Sequence, residues 1–291
     1  MRVIPGNAQA IGQRTEQQDA FGFSDVDNTD LTRRIGVLAV LADGMGGLAH
    51  GGEASRLAVG TFLAEYEAAV LGGADLSEAL DQSLRRADAA VAESAEQRGE
   101  PGNVGCTLVA LTIHEHHLHW RSVGDSRLYL WRRPGLTRLT EDHDYGRLLD
   151  REVAAGRLDA GTAERDPARR ALTSYVGQGP MSAVDGNRRP LWLASGDRLL
   201  VCSDGLYIAL DEPAIAAQVA QALTPQEAAE SLVESALACD LLGQDNVTVL
   251  VLECDDEPET LRRNPGHASR GRRRSWWAAL LGLGRSRGKP A

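Results

Sequence analysis

Lysine is nearly absent from this chain of 291 residues, in which Lys289 is the only one. Chemistry that depends on a lysine amine, such as Schiff-base formation, therefore has no candidate nucleophile in the first 288 residues. The same shortage excludes a Walker phosphate-binding loop there, because that loop requires a lysine. Two large groups of enzyme mechanisms are thereby excluded for almost the whole chain.

Cysteine and long apolar runs are scarce as well. The four cysteines lie far apart without any Cys-x-x-Cys pair, and Cys106 and Cys202 fall in strand-like runs. We interpret them as buried, reduced thiols, which predicts a cytoplasmic protein. The first residues include no apolar segment of signal-peptide length. No apolar run approaches the roughly 20 residues that are needed to span a bilayer.

Charge is distributed unevenly along the chain. There are 31 Lys or Arg and 41 Asp or Glu, but residues 262–291 hold nine of the basic residues and no acidic one. Residues 1–261 therefore carry a formal charge of −19. An acidic body argues against a nucleic-acid-binding protein, because phosphate backbones require a basic face. It is suited to holding cations.

The basic end of the chain indicates a separate tail. We expect a folded domain over residues 1–255, followed by a basic linker and a short amphipathic tail over residues 256–291. Residues 276–283, WWAALLGL, would span only about 12 Å as a helix. With arginines on both sides, residues 270–287 could lie on the inner face of an anionic membrane or dock onto a partner. A disordered tail is the alternative.

Hydrophobic periodicity predicts antiparallel strands combined with helices. Residues 53–70 show a helical rhythm, and a second helix begins near Asp75 or Ser77. Residues 25–34 are predicted to be a polar turn. Strand patterns at hairpin spacing follow at residues 106–113, 118–123 and 127–131, and further strands at residues 198–202 and 247–252. Helices inserted between hairpin-paired strands predict a layered α+β fold rather than a doubly wound parallel sheet.

The most informative local pattern is a buried strand that ends in an acidic, glycine-rich turn. Residues 37–42 form an apolar run, which Asp43, Gly44, Gly46 and Gly47 follow. A carboxylate and a free carbonyl in such an open backbone suit a hard divalent cation. Four other aspartates share this context at a junction between a strand and a turn: Asp19, Asp125, Asp204 and Asp245.

If these strand ends converge, their like charges repel one another unless cations lie between them. Ligands that are all oxygen favour Mg²⁺ or Mn²⁺ over zinc. A zinc site is conceivable instead at the cluster His114, His116, His117 and His119. Strand alternation places the first two histidines on one face of the hairpin and the last two on the other. A polar hairpin is therefore the favoured interpretation of this cluster.

Seven short motifs, taken in their order, resemble those of the metal-dependent protein phosphatases of the 2C type, the PPM family, in their bacterial form. They are RTEQQD (14–19), LADGMGG (41–47), GCTLVAL (105–111), VGDSRLYL (123–130), LTEDHD (139–144), CSDGL (202–206) and GQDNVTVLVLE (243–253). The resemblance spans about residues 10–253. It implies a four-layer αββα sandwich, in which helices flank two mainly antiparallel sheets.

The resemblance also implies a metal centre. Asp43 would bridge two tightly bound Mn²⁺ or Mg²⁺ ions, and Gly44 would offer its carbonyl to one of them. Asp204 and Asp245 would complete the other.

Three further residues would act around this pair of ions. Asp125 would share a third, weaker ion with Asp204, and Asp19 would act through metal-bound waters. Arg14 would bind the substrate phosphate, because a guanidinium presents forked donors.

The implied reaction is direct hydrolysis of phosphoserine or phosphothreonine in proteins, by in-line attack of a water that bridges both metals. Its partners would be phosphorylated proteins, including a bacterial Ser/Thr kinase and the substrates of that kinase. One alternative is a scaffold or regulatory pseudophosphatase without a hydrolytic role, although such proteins should lack metal-ligand aspartates and all five are present here. A phosphatase of small phosphate esters is another.

Four positions depart from the family pattern. Gln17 and Gln18 stand where the first motif usually has Asn-Glu, and so an acidic residue next to the site is lost. Met45 occupies the place of a histidine that eukaryotic members carry. Asp166 replaces a common histidine in the charged segment 140–180, which is predicted to be a helix and a surface flap.

Overall fold

Two β-sheets stacked face to face form the centre of the fold, in a computed structural model that describes residues 1–45 and 50–256. The first sheet has the strand order β1 (Arg2–Ala10), β12 (Val247–Asp255), β11 (Arg198–Cys202), β7 (Arg127–Arg132) and β8 (Gly135–Arg138). The second has the order β10 (Leu191–Trp192), β6 (His117–Val123), β5 (Leu108–His114), β3 (Val37–Met45) and β2 (Asp19–Phe23). Two short strands pair with members of the second sheet, β4 (Gly105–Cys106) with β3 and β9 (Asp185–Gly186) with β6. All these strand pairs are antiparallel.

Helices cover the outer face of each sheet. Those on the second sheet are α1 (Thr29–Ile35), α2 (His50–Leu71) and α3 (Leu76–Gln97). Those on the first sheet are α6 (Asp204–Ala209), α7 (Glu212–Gln221) and α8 (Pro225–Ala238). Between β8 and β9 lie α4 (Tyr145–Ala154) and α5 (Ala160–Glu164). The succession of helix, sheet, sheet and helix confirms the αββα sandwich that the motifs imply.

The alternation of side chains explains why the central strands are apolar along most of their length. In β3, Leu38 and Val40 pack toward the helices, whereas Ala39 and Leu41 pack toward the other sheet. β12 likewise divides its residues between the core under the helices and the core between the sheets. Because both faces of β3 are buried, Asp43 is its first residue that is not fully covered.

The predicted helix start near Asp75 is confirmed by a capping hydrogen bond. The Asp75 carboxylate accepts from the backbone N–H of Glu78 at 2.8 Å, at the start of α3. Thr224 caps α8 in the same way by accepting from Glu227 at 3.1 Å. Each bond pairs a backbone N–H that a helix start leaves without an intrahelical partner.

Its spacing predicts that the strand at residues 127–131 is the next hairpin partner in the same sheet, and this prediction is wrong. β6 belongs to the second sheet and β7 to the first, so the chain crosses between the sheets at residues 124–126. Gly124 makes this crossing with φ +96°, and a Cβ there would lie 2.6 Å from the Thr107 side chain. The crossing places Asp125 between the two sheets.

The histidine cluster also differs from the prediction. His114 pairs directly with His117 across the β5–β6 hairpin, and so these two side chains share a face. Alternation fails here because Glu115, with φ +55°, and His116 form the turn.

Most of the predicted tail, including residues 276–283, lies outside the described residues. Within residues 1–45 and 50–256, no helix has the length and apolar character that crossing a membrane requires.

Candidate active site

Asp19 and Asp43 face each other at one end of the second sheet. They are direct partners in the β2–β3 register. Asp19 is 4% exposed, whereas Asp43 keeps a partly exposed surface. One Asp19 oxygen, Oδ2, accepts hydrogen bonds from Ser203 Oγ at 2.8 Å and from Thr248 Oγ1 at 2.6 Å. Since both donors belong to the first sheet or its margin, Asp19 joins the two sheets at this end.

Asp204 and Asp245 approach the same end from the first sheet. Asp204 begins α6, two residues after β11 ends, and Asp245 lies two residues before β12 begins. Gly205 allows this approach, because a Cβ there would lie 2.1 Å from the Asn246 carbonyl oxygen. The loop before β12 and the start of α6 are thus in backbone contact.

Asp125 reaches the group from the crossing between the sheets. Its Oδ2 accepts a hydrogen bond from the Tyr207 hydroxyl at 3.2 Å. Burial, followed by the charge of Asp142, raises the pKa of Asp125 to about 6. The structure therefore brings all five aspartates together within electrostatic reach of one another.

Burial and mutual repulsion also raise the pKa values of Asp19, Asp43 and Asp204. Burial raises the pKa of Asp19 to about 6, against hydrogen bonds that lower it. Burial and then the charge of Asp125 raise the pKa of Asp204 to about 8. The pKa of Asp43 lies well above its ordinary value, first because of burial and then because of the charges of Asp19 and Asp204. A cation bound here would relieve this repulsion.

The donor set fits a hard divalent cation. Asp19 Oδ1 and Asp204 Oδ1 are buried and have no hydrogen-bond partner among the described residues. No group of three or more His, Cys, Asp or Glu side chains in residues 1–45 and 50–256 is arranged to hold a metal ion by itself. An ion bound here would take carbonyl and water oxygens beside the carboxylates, and such all-oxygen ligation suits Mg²⁺ or Mn²⁺.

Gly44 supplies the backbone that such a site needs. A Cβ at Gly44 would lie 2.2 Å from the Gly51 carbonyl oxygen and 2.6 Å from that of Gln18. Its N–H donates to Gln18 O at 3.1 Å. Only glycine therefore allows β3 to pass this closely between α2 and the loop before β2.

Several polar residues that support the site were missed by sequence reasoning. Thr107 holds Asp43 from both sides: its Oγ1 accepts from the Asp43 N–H at 3.0 Å, and its N–H donates to the Asp43 carbonyl at 2.8 Å. The Thr107 hydroxyl also lies 2.7 Å from Ser126 Oγ, next to Asp125. Ser203 and Thr248 hold Asp19. A usable signal is that each lies inside one of the seven motifs.

Arg14 lies at the rim of the site and contacts an aspartate. Its Nη2 donates to Asp245 Oδ2 at 2.7 Å, and the two side chains are 55% and 35% exposed. Asn246 holds the loop that carries Arg14, because its side chain bonds to the backbone of Ile11, Glu16 and Gln18.

The departures from the family pattern have local structural roles. Gln17 Oε1 accepts from the Asp19 N–H at 2.9 Å, so this side chain supports the loop that carries Asp19. Met45 pairs with Gly105 at the end of β3. Asp166 accepts from the Ala168 N–H at 2.8 Å and thereby orders the turn after α5.

The chain is similar to known phosphatases in sequence and in fold. The family described as Protein phosphatase 2C matches residues 8–241. The serine/threonine protein phosphatase PstP of Mycobacterium tuberculosis is 34% identical over 242 residues, which cover 81% of this chain and 44% of that protein. The chain thus spans less than half the length of this curated relative.

Two solved structures extend the likeness to the fold. The serine/threonine phosphatase of S. agalactiae superposes with a TM-score of 0.74 at 28% identity, covering 87% of this chain and 100% of that one. The catalytic domain of PstP in complex with two manganese ions superposes with a TM-score of 0.68 at 30% identity, covering 87% and 99% of the two chains. Together with the match over residues 8–241 and the five convergent aspartates, these likenesses show that the chain belongs to the protein phosphatase 2C family.

Proposed function

We propose that this protein is a metal-dependent phosphatase that hydrolyses phosphoserine and phosphothreonine in proteins. The observation that carries the proposal is the convergence of five aspartates, from both sheets and from the crossing between them, on one edge of the sandwich. A set of buried carboxylates with raised pKa values suits a reaction in which divalent cations offset the charge of a phosphate ester.

Different residues of the chain would have different roles in this reaction. Asp43 would contact two ions, Gly44 would present its carbonyl to one, and Asp204 and Asp245 would hold the other. When bound, such ions lower the pKa of a water between them and polarise the phosphoryl group.

Arg14 would bind the phosphate through its guanidinium and so orient the phosphorus toward the aspartates. Its exposed position at the rim favours this role, since a substrate reaches it from solvent. Asp19 would orient waters, while Ser203 and Thr248 fix the Asp19 carboxylate.

The ions themselves are proposed to be Mn²⁺ or Mg²⁺, two of them tight. A third, weaker ion between Asp125 and Asp204 is a further part of the proposal. The proposed partners are phosphorylated proteins, among them a Ser/Thr kinase and the substrates of that kinase. Residues 1–255 would form the catalytic domain in the cytoplasm, and the basic tail would hold it at the inner membrane face or at a partner.

Hydrolysis of a phosphothreonine peptide by the full chain tests the proposal. We expect EDTA to abolish the activity and Mn²⁺ to restore it. Asp43→Asn should remain inactive at every Mn²⁺ concentration, because the bridging carboxylate is lost. Asp27→Asn changes an exposed aspartate in the turn between β2 and α1. It is the matched control and should behave as the unchanged protein. Activity of Asp43→Asn in excess Mn²⁺ would refute the assigned centre, and Mn²⁺ binding without any hydrolysis would favour a pseudophosphatase.

A further inference from the structure

Tyr207 lies beside the aspartates and is neither a metal ligand nor a substrate contact in the proposed reaction. It follows Asp204 by three residues in α6, and residues three apart lie on neighbouring positions of one helix face. Its hydroxyl donates to Asp125 Oδ2 at 3.2 Å. Tyr207 therefore connects the helix that begins with Asp204 to the crossing that carries Asp125.

The ring of Tyr207 is held in place by a stacked cation. The guanidinium carbon of Arg127 lies 3.5 Å from the centre of the ring, a cation–π contact. Arg127 is itself fixed by a fork to Asp142, with Nε to Oδ1 at 3.1 Å and Nη2 to Oδ2 at 2.7 Å. Arg138 also donates to Asp142 Oδ2 at 3.1 Å. The hydroxyl thus reaches Asp125 from a ring with little freedom to move.

The backbone of Asp125 is fixed separately from its side chain. The Gly124 N–H donates to His143 Nδ1 at 3.2 Å, and the His143 N–H donates to the Gly124 carbonyl at 2.9 Å. Among residues 1–45 and 50–256, Tyr207 is the only other residue whose side chain hydrogen-bonds to the Asp125 carboxylate. The Asp125 carboxylate also accepts from its own backbone N–H, and the Tyr207 hydroxyl adds the contact that ties it to α6.

The surroundings place this hydroxyl between the metal-binding aspartates and an open cavity. Asp125 and Tyr207 line a cavity of 660 Å³ whose other wall is formed by residues of α4 and of the chain after α5, including Arg169 and Arg170. After burial, the charge of Asp125 is the largest influence that raises the pKa of Asp204. Asp204 thus lies within electrostatic reach of Asp125, and it precedes Tyr207 by three residues in α6.

We propose that Tyr207 is a positioning residue that aims the Asp125 carboxylate at Asp204, so that the two aspartates can share a divalent cation next to the cavity. This inference rests on the proposed function, because it assumes that the aspartates bind divalent ions. Beyond the aspartates that would hold the ion, it assigns a role in ion binding to a tyrosine hydroxyl on α6.

Titration calorimetry of the full chain with Mn²⁺ alone, comparing Tyr207→Phe with Tyr129→Phe, tests this proposal. Tyr207→Phe keeps the ring beneath Arg127 and removes only the hydroxyl. Tyr129→Phe is the matched control, because the Tyr129 hydroxyl accepts from the same Arg127 at 3.2 Å without contacting Asp125. For Tyr207→Phe we expect two tight ions as in the unchanged protein and a roughly tenfold higher Kd for the weak ion, since a single hydrogen bond to a carboxylate is lost.

Two further measurements separate positioning from general packing. At limiting Mn²⁺, Tyr207→Phe should lower kcat for a phosphopeptide with little change in KM, and excess Mn²⁺ should restore kcat. In an Asp125→Asn background, Tyr207→Phe should have no further effect on Mn²⁺ binding, because the group that it positions has been neutralised.

Three results would overturn the proposal: an unchanged weak site in Tyr207→Phe, the same loss in Tyr129→Phe, or no weak site in the unchanged protein. If the unchanged protein binds Mn²⁺ but hydrolyses no phosphopeptide, the proposed function fails while the calorimetry still decides the role of Tyr207.

Discussion

Arg14 illustrates how one side chain can serve both the protein and a substrate. In the structure its guanidinium lies 2.7 Å from Asp245, yet more than half of the side chain is exposed. A guanidinium has five donors in a planar fork, so it can contact a carboxylate and a phosphate at once. The Asp245 contact holds Arg14 at the rim of the site and leaves other donors for a ligand.

We therefore expect Arg14→Ala to raise KM for a phosphopeptide by about 10- to 100-fold, equivalent to the roughly 1.5–3 kcal/mol of a hydrogen bond to a charged group. The affinity for Mn²⁺ should change little, because the aspartates remain. Steady-state kinetics and Mn²⁺ titration measure the two effects separately. Arg33→Ala, at a side chain that is 80% exposed on α1, is the control. An unchanged KM would remove Arg14 from the substrate site, and a large loss of Mn²⁺ affinity would assign it to the metal centre.

Glycines fix how the elements approach the site. Gly205 lies where α6 contacts the loop before β12, and a Cβ added there would lie 2.1 Å from the Asn246 carbonyl oxygen. Because backbone cannot yield as a flexible side chain can, the two elements would have to separate. That separation would move Asp204 away from Asp245.

Gly205→Ala should therefore lower both the melting temperature and the affinity for Mn²⁺. Gly60→Ala is a matched control within α2, because its Cβ would meet nothing within 4 Å. There the same change should stabilise the protein by about 0.5–1 kcal/mol, since alanine favours a helix over glycine. Thermal unfolding and Mn²⁺ titration of both variants provide the comparison. Equal behaviour of the two would mean that the close packing at Gly205 does not matter.

The sequence was most informative where the pattern is local. The apolar run before Asp43, the capped start of α3 and the α+β class follow from neighbouring residues, and the structure confirms each of them. The aspartates could be identified as a set, since each lies at a junction between a strand and a turn.

Elements that depend on distant partners could not be predicted in this way. β1 mixes apolar and polar residues around Pro5 and Gly6, and its identity as a strand comes from nine paired positions along β12. Residues 25–34 were predicted as a turn, but α1 forms there because Asn28 caps it and Ile35 is fully buried. The exchange of sheets at Gly124 likewise requires the three-dimensional packing of both sheets.

At the scale of the whole molecule, the acidic body and the basic tail have different expected roles. Deleting residues 262–291 should leave phosphopeptide hydrolysis intact, because all the site residues lie between Arg14 and Asp245. The deletion should abolish binding to anionic liposomes in a sedimentation assay, since it removes nine basic residues and no acidic one. Neutral liposomes are the control. Lack of binding by the full chain would exclude the membrane role, and a loss of hydrolysis would give the tail a part in catalysis.

The cluster of buried carboxylates also lowers the stability of the fold, by an amount that depends on pH. The pKa of Asp204 is raised from an unfolded value near 3.8 to about 8, and that of Asp43 is raised well above 3.8. Between these values the native state holds more protons than the unfolded state, so stability falls as the pH rises. His119 and His143 have lowered pKa values and act in the opposite direction, but both are neutral above pH 7. The range from pH 7 to pH 8.5 therefore includes the titration of Asp204, whose pKa is about 8.

In EDTA, we expect the melting temperature of the full chain to fall between pH 7 and pH 8.5, and saturating Mn²⁺ to remove most of that fall by replacing the protons. Asp43→Asn should melt at a higher temperature than the unchanged protein in EDTA at pH 8.5, because an amide of similar size no longer repels Asp19 and Asp204. The same variant should gain much less from Mn²⁺, since it lacks the bridging carboxylate. Differential scanning calorimetry measures both effects, with Asp27→Asn as the control. A melting temperature of Asp43→Asn at or below that of the unchanged protein in EDTA would mean that hydrogen bonds at Asp43 outweigh the repulsion. In that case the charge of Asp43 would serve the reaction without lowering the stability of the fold.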